Sequence, residues 1–303
     1  MTILVIGGTG TVGSKVVEAL LGAGVPVRVF SRGRGDWRDD VTPHFRKAGV
    51  EIISGDIRDQ NRIASAVNGV NGIIHTAGAM QELPDFSLQS VNVESIASLI
   101  PIALNAGVQR MVYLGCLGST QFSNSEYLRT KWEAEQLIRE SNFYWTIFRA
   151  APIFALGSQL MRSLEFWVNR FPFIPIIGSG LNEIAPVSAT DVATCLMQAL
   201  YDKDTVGQSY DLVGPHTFTL TELMELTAIE YEVDRKPLIK VPSSLGYQLA
   251  NLIFKFTPRT PVSADFMRLL ACDLDSDPAL MKTKFGAPML PLESQYKRIA
   301  VEK

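Results

Sequence analysis

No run of 18 apolar residues occurs in the 303-residue chain, and its richest apolar stretch, Phe143 to Leu156, is cut by Arg149 and Pro152, so no membrane-spanning helix is expected. Cysteine is scarce. Cys116, Cys195 and Cys272 are odd in number, far apart and in no C-x-x-C pair, which argues against a disulfide framework or a zinc site and fits a reducing compartment. Histidine is as scarce: His44, His75 and His216 have no metal-ligand spacing, so no metal is expected and each is read as structural. Neither sign of charge dominates, with 28 Lys and Arg against 31 Asp and Glu, and the net charge of -3 gives nucleic acid no electrostatic reason to bind. No basic leader with an apolar stretch precedes the strand-like run Ile3 to Ile6. A cytoplasmic location is the expectation, with a peripheral place on a membrane complex left open.

What is present points to a large folded core. Hydrophobic residues make up 47% of the chain and charged residues 19%, which argues against extensive disorder, and the length suits one nucleotide domain with a smaller companion. Short β-branched runs alternate with helical patterns from residue 3 to about 150, the signature of βαβ units around a parallel sheet. Strands are predicted at Ile3 to Ile6, Val25 to Phe30, Val50 to Ser54, Gly72 to Thr76, Arg110 to Leu114 and Tyr144 to Phe148, with Asp59 as a helix N-cap. After Pro152 the texture changes, and two further pieces, Glu183 to Val187 and Gln208 to Leu212, are expected to rejoin the sheet around a helix beginning near Asp191. Thr219 and Glu222 are spaced as a capping box. The expected architecture is a doubly wound α/β Rossmann sheet over residues 1–153, which 183–214 rejoins, with a smaller, interleaved, mostly helical C-terminal part over 154–182 and 215–303 for substrate or partner.

Gly7, Gly8, Gly10 and Gly13 fall in the turn between the first strand and the first helix. Glycine is needed there for the tight turn, for backbone approach to a pyrophosphate and for close helix packing, with the helix N-terminus facing the anion. A dinucleotide is therefore the expected ligand. If the ribose carried a free 2′-hydroxyl, an acid should end the second strand about 20 residues on. The chain instead reads Ser31, Arg32, Gly33, Arg34, with no carboxylate before Asp36. Arg32 and Arg34 match a 2′-phosphate in charge and donor geometry and favour NADP(H) over NAD(H).

Tyr127 and Lys131 lie four apart in a helical segment and so share one helix face. A nearby ammonium lowers the cost of ionising a phenol, which suits this pair to proton transfer at a substrate oxygen.

Together these residues resemble the short-chain dehydrogenase/reductase superfamily, in particular its atypical branch with a divergent second half. The resemblance implies that Gly7, Gly10 and Gly13, with the intervening Thr9, Thr11 and Val12, hold the pyrophosphate. It places Asp56 and Ile57 at the adenine, and Thr76, Ala77 and Gly78 on the ribose side. Leu114 and Gly115 border the nicotinamide together with Lys131, and Asn92 supports the active-site helix. More narrowly, Tyr127 to Lys131 followed by Glu133-Ala134-Glu135, then Trp145-Thr146-Ile147, Ile153-Phe154, Pro186-Val187 with Asp191-Val192-Ala193, and Tyr210 to Gly214, is similar to the accessory nucleotide-binding subunit of respiratory complex I, its bacterial relatives and NmrA-like proteins. That likeness implies bound NADPH without necessary turnover, and a membrane-associated electron-transfer complex as partner.

One departure stands out. Reductases of the superfamily place a serine at the end of the fifth strand, where this chain reads Leu114-Gly115-Cys116-Leu117-Gly118. A thiol is a weak donor, and losing one oxyanion donor costs about 2.7 to 4 kcal/mol. Ser119 is close in sequence. In the second half, Phe154, Phe166, Trp167, Phe171 and Phe173 are read as core, as an apolar wall over the nicotinamide or as a docking surface for a protein or lipid, and Leu245, Leu249, Leu252, Ile253 and Phe256 form a stripe at helical spacing that is expected to pack in the core.

Two functions fit these residues. One is a low-activity or non-catalytic NADP(H)-bound accessory or assembly factor of an electron-transfer complex, which the missing serine favours. The other is an NADPH-dependent oxidoreductase of an apolar carbonyl or alkene, with Tyr127 as acid and Lys131 as its electrostatic partner.

Overall fold

A computed structural model describes residues 1–32, 41–233, 235–257, 260–261 and 263–296. In chain order the first half runs β1 (Ile3–Ile6), α1 (Thr11–Gly22), β2 (Val27–Ser31), α2 (Thr42–Lys47), β3 (Glu51–Ser54), α3 (Gln60–Val67), β4 (Gly72–His75), α4 (Ser95–Asn105, entered through a π-helical turn at Ser90–Glu94), β5 (Arg110–Cys116), α5 (Glu126–Arg139) and β6 (Tyr144–Ala150). The second half adds β7 (Ile153–Phe154), α6 (Gln159–Arg170), β8 (Ile174–Ile177), β9 (Glu183–Ile184), β10 (Val187–Ser188), α7 (Ala189–Tyr201), β11 (Gln208–Leu212), β12 (Phe218–Thr219), α8 (Leu220–Glu230), β13 (Leu238–Val241), α9 (Ser243–Phe256), α10 (Ala264–Leu270) and α11 (Ala279–Thr283).

Seven strands form one parallel sheet in the order β3-β2-β1-β4-β5-β6-β11, the doubly wound arrangement that the alternating pattern predicts. β1 and β4 are neighbours although three helices and two strands separate them in sequence, so the strand order reverses there and a crevice opens beyond their carboxyl ends. The apolar runs are buried on both faces, as a sheet covered by two helical layers requires. Asp59 accepts from the amides of Asn61 and Arg62 at the start of α3, and Thr219 and Glu222 form the capping box of α8.

Three expectations are corrected. β2 begins two residues late, because the Val25 amide bonds to Leu20 O at 2.9 Å and closes the end of α1. β5 and β6 each run two residues further than predicted, to Cys116 and Ala150, which brings Cys116 into the sheet. Glu183 to Val187 does not rejoin the central sheet. β9 pairs with β12 and β10 with β7, separated by Pro186, which cannot donate to a ladder; only Gln208 to Leu212 joins the large sheet, as β11.

The second half is interleaved with the first. α6, β8, α8, α9 and α10 surround a second core that reaches Cys116, Tyr127 and Leu128 of the Rossmann part. Phe154 and Trp167 are buried in that core, and Phe166, Trp167, Phe171 and Phe173 touch ring to ring beside it. The segment from Met281 to Leu290 turns back onto the other side of the sheet, where Phe285 meets Phe148 at 5.2 Å and Tyr210 at 5.1 Å between ring centroids. Asp191, read from sequence as an early-helix charge, accepts the amides of Met289 at 2.8 Å and Leu290 at 2.9 Å and ties this segment down. Among the described residues no helix is long and apolar enough to cross a membrane.

Candidate functional site

The glycine loop is built by close approach. Gly7 has φ +84°, open to glycine without strain, and a Cβ there would lie 2.8 Å from the Ala77 amide nitrogen. A Cβ on Gly13 would collide with the Gly7 carbonyl, so α1 can start against the loop only with glycine at that position. Gly10 stands at the N-cap with no side-chain cap, and the first turn of α1 carries no acid, whereas Ser125, Ser158 and Ser188 cap α5, α6 and α7. The amides at the start of α1 are therefore left for a ligand, and the helix dipole favours an anion there.

These amides open on a cleft of about 450 Å³ beyond the carboxyl ends of the sheet. Every described residue singled out from the sequence as facing a cofactor lines it. Gly7, Thr9, Gly10, Thr11, Val12 and Gly13 form one end, with Ser31 and Arg32 from the end of β2 and Asp56 and Ile57 after β3. Thr76, Ala77 and Gly78 follow β4, and Leu114, Gly115, Cys116, Tyr127 and Lys131 close the middle. Arg34 lies outside the described residues. The far wall, which sequence patterns did not reveal, comes from the second half: Leu160 and Arg162 of α6, and Phe266 and Leu269 of α10.

Charge around the β2 end is arranged in pairs. The Asp56 carboxylate takes Arg58 Nε and Nη2, both at 2.8 Å, and this fork holds its pKa below the ordinary carboxylate value. Phe86 also lines the cleft, and both Arg32 and Arg58 lie over its ring, at 5.4 and 5.8 Å from the centroid. With Asp56 paired to Arg58, exposed Arg32 is the further charge that the described residues bring to this corner.

Lys131 and Tyr127 project from one face of α5 and are 5% and 7% exposed. Asn92 fastens that helix to the loop after β4: its amide group donates to Ala79 O at 2.9 Å and Thr130 Oγ1 at 3.0 Å, and its oxygen accepts the Ala79 amide at 2.8 Å. Gly78 leaves the room for this, since a Cβ there would be 3.3 Å from both Asn92 Oδ1 and Lys131 Nζ. Lys131 Nζ donates to Leu114 O at 3.0 Å and Tyr113 Oη at 3.2 Å, and burial pulls its pKa down to about 8.

The expected easing of phenol ionisation is not what the structure shows. Burial raises Tyr127 well above its ordinary value, and the neighbouring Cys116 favours the protonated phenol further. Cys116 is itself pushed up to about 12 by burial, so it is a neutral thiol at the place where reductases of the superfamily carry a serine. Ser119 does not replace it: its hydroxyl donates to Cys116 O at 2.6 Å, and it is not part of the cleft wall. Beneath the floor lies His75, buried with neither ring nitrogen bonded, held neutral by burial and by Lys131 with its pKa at about 3.

The family model that describes the NmrA-like family matches residues 1–236. The chain belongs to that family. Among curated proteins, this NmrA-like chain is 30% identical over 254 residues to "NADH dehydrogenase [ubiquinone] 1 alpha subcomplex subunit 9, mitochondrial" of Arabidopsis thaliana, covering 81% of the chain and 61% of that relative's length. It is 28% identical over 221 residues to an NAD(P)H azoreductase of Xenophilus azovorans, covering 73% of the chain and 71% of the relative. Among solved structures it matches the NADPH-dependent quinone oxidoreductase QOR2 of Escherichia coli, complexed with NADPH, with a TM-score of 0.73, 19% identity, and coverage of 98% and 99% of the two chains. The fold is thus the NAD(P)-binding Rossmann fold of the atypical short-chain dehydrogenase/reductases.

One residue that motif matching placed at the cofactor has a second duty. A Cβ on Gly115 would stand 2.5 Å from Glu135 Oε1. Glu135 is wholly buried on α5, one turn beyond Lys131, and its other oxygen takes Arg149 at 2.7 Å. Glycine in β5 is the space that this carboxylate fills.

Proposed function

We propose that this NmrA-like chain holds NADP(H), in preference to NAD(H), in the cleft and serves as a low-activity or non-catalytic accessory factor of a membrane-associated electron-transfer complex. The observation that carries the role is the buried thiol of Cys116, which lines the cleft together with Tyr127 and donates to Leu117 O at 3.4 Å. The tyrosine faces a neutral thiol where reductases of the superfamily offer a serine hydroxyl, and a thiol is a poor donor to a developing oxyanion.

The cleft fits the dinucleotide on its own terms: glycines whose Cβ atoms would fill the cradle, uncapped amides at the start of α1, and an exposed cation at Arg32. Gly7, Gly10 and Gly13 would hold the pyrophosphate, Ile57 and Asp56 the adenine end, Arg32 the 2′-phosphate, and Thr76 to Gly78 with Lys131 the nicotinamide ribose. When bound, the dinucleotide supplies a hydride donor or acceptor. The chain's own residues position it, and Lys131 keeps a cation beside the ribose. The complex I subunit name of the Arabidopsis relative supports the partner class.

Titration calorimetry with NADPH and NADH tests the cofactor, and tighter NADPH binding is expected; equal affinity would overturn the preference. Affinity capture from native membranes tests the role, with a stable electron-transfer complex as the expected partner. A second function, NADPH-dependent reduction of an apolar substrate, is favoured by the apolar wall of Leu160, Phe266 and Leu269 facing Tyr127 and Lys131 across the cleft. Steady NADPH consumption abolished by Tyr127→Phe would establish it instead.

A further inference from the structure

Helix α9 has two apolar faces, and only one of them has a partner. Its inner face is made of small residues: Gly246 and Ala250 are buried, and Gly246 packs where a Cβ would touch Ile177 of β8 and Met267 of α10. At 100° per residue, Leu245, Leu249, Leu252 and Phe256 fall within about 60° of arc on the other side. They are 56%, 37%, 54% and 76% exposed, the reverse of the core position that their spacing suggested. The strand that leads into the helix, β13, exposes Leu238, Ile239 and Lys240 as well. A row of large apolar side chains facing water marks a contact surface.

The charge pattern selects the occupant. Residues 235–264 hold five basic residues and no acidic one, in a chain whose net charge is -3. Along α9 the exposed stripe is bordered on one flank by Ser244, Gln248, Asn251 and Lys255, all exposed. A second copy of the same face would bring like charges together, whereas anionic headgroups above an apolar interior match both features. With 14 residues the helix is too short to span a bilayer and suited to lie in its plane.

We propose that the outer face of α9 is a docking surface for an anionic lipid bilayer, with Leu245, Leu249, Leu252 and Phe256 entering the acyl boundary and Lys240 and Lys255 meeting the headgroups. No residue of α9 lines the cleft, so the surface acts independently of nucleotide binding.

The test is co-sedimentation of the full chain with vesicles of phosphatidylcholine alone and of equimolar phosphatidylcholine and phosphatidylglycerol. Sedimentation with the anionic vesicles is expected, weakened by added salt and reduced about tenfold or more by Leu249→Glu with Leu252→Glu. Lys255→Glu should weaken binding to the anionic vesicles without exposing any core. Unchanged circular dichroism and NADPH affinity in the variants would show that the fold and the cleft are intact, so this surface can fail while the nucleotide assignment stands. The proposal is overturned if the unmodified chain stays in the supernatant with both vesicles, if the double variant sediments as well as the unmodified chain, or if size-exclusion shows a dimer that the double variant disperses.

Discussion

Tyr127 of α5 and Cys116 at the end of β5 share the wall of the cleft, and burial keeps both the phenol and the thiol neutral. A serine at this position offers an O–H that can turn from the tyrosine to a substrate oxygen, which a thiol does poorly. Cys116→Ser is therefore expected to raise NADPH oxidation with a quinone or azo acceptor by about 100- to 1000-fold. Single-turnover loss of the reduced-nicotinamide absorbance measures it. An unchanged rate would mean that the missing hydroxyl is not what limits turnover.

At the end of β2, Arg32 is exposed, and among the described residues no carboxylate forks onto it as Asp56 does onto Arg58. Arg32→Ala should weaken NADPH binding by about 1.5 to 3 kcal/mol, roughly 10- to 150-fold, while leaving NADH affinity nearly unchanged. Equal losses for both nucleotides in calorimetry would assign Arg32 a structural role instead.

Gly115 and Glu135 are coupled through space. Gly115→Ala would put a methyl carbon 2.5 Å from Glu135 Oε1 and is expected to destabilise the fold by about 1 to 3 kcal/mol in urea unfolding. In a Glu135→Ala background the same change should cost less, with a coupling of at least about 0.5 kcal/mol in the double-mutant cycle. Additive effects would show that the strand relaxes away from the carboxylate.

His75 makes stability depend on pH. Its folded pKa of about 3 lies below the ordinary 6.5, so the unfolded chain binds the extra proton first as the solution is acidified. The stabilisation from neutral His75 is complete above pH 6.5 and is lost as pH falls towards 3, on the order of 5 kcal/mol across the window. His75→Phe should flatten this part of the stability profile measured by chemical denaturation at stepped pH. A slope identical to that of the unmodified chain would place the acid sensitivity elsewhere.

What was legible in the sequence is what local rules encode. Gly7, Gly10 and Gly13 sit where a strand turns into a helix, Asp59 and Thr219 cap the helices that follow them, and the four-residue step from Tyr127 to Lys131 sets them on one helix face. Contacts between distant segments were not legible. Nothing near Cys116 announces that its thiol will share a buried wall with Tyr127, and nothing near Gly115 announces a buried carboxylate. The leucines of α9 show the limit of periodicity: spacing tells which side chains share a face, but not what that face meets.

The family match ends at residue 236, yet the packing against the sheet does not. The return segment places Phe285 over Phe148 and Tyr210 and is pinned by Asp191 at the head of α7, so the last part of the chain roofs the first. A chain shortened to the matched stretch would open this side of the sheet to water, and the intact protein should melt in one transition rather than as two separable modules.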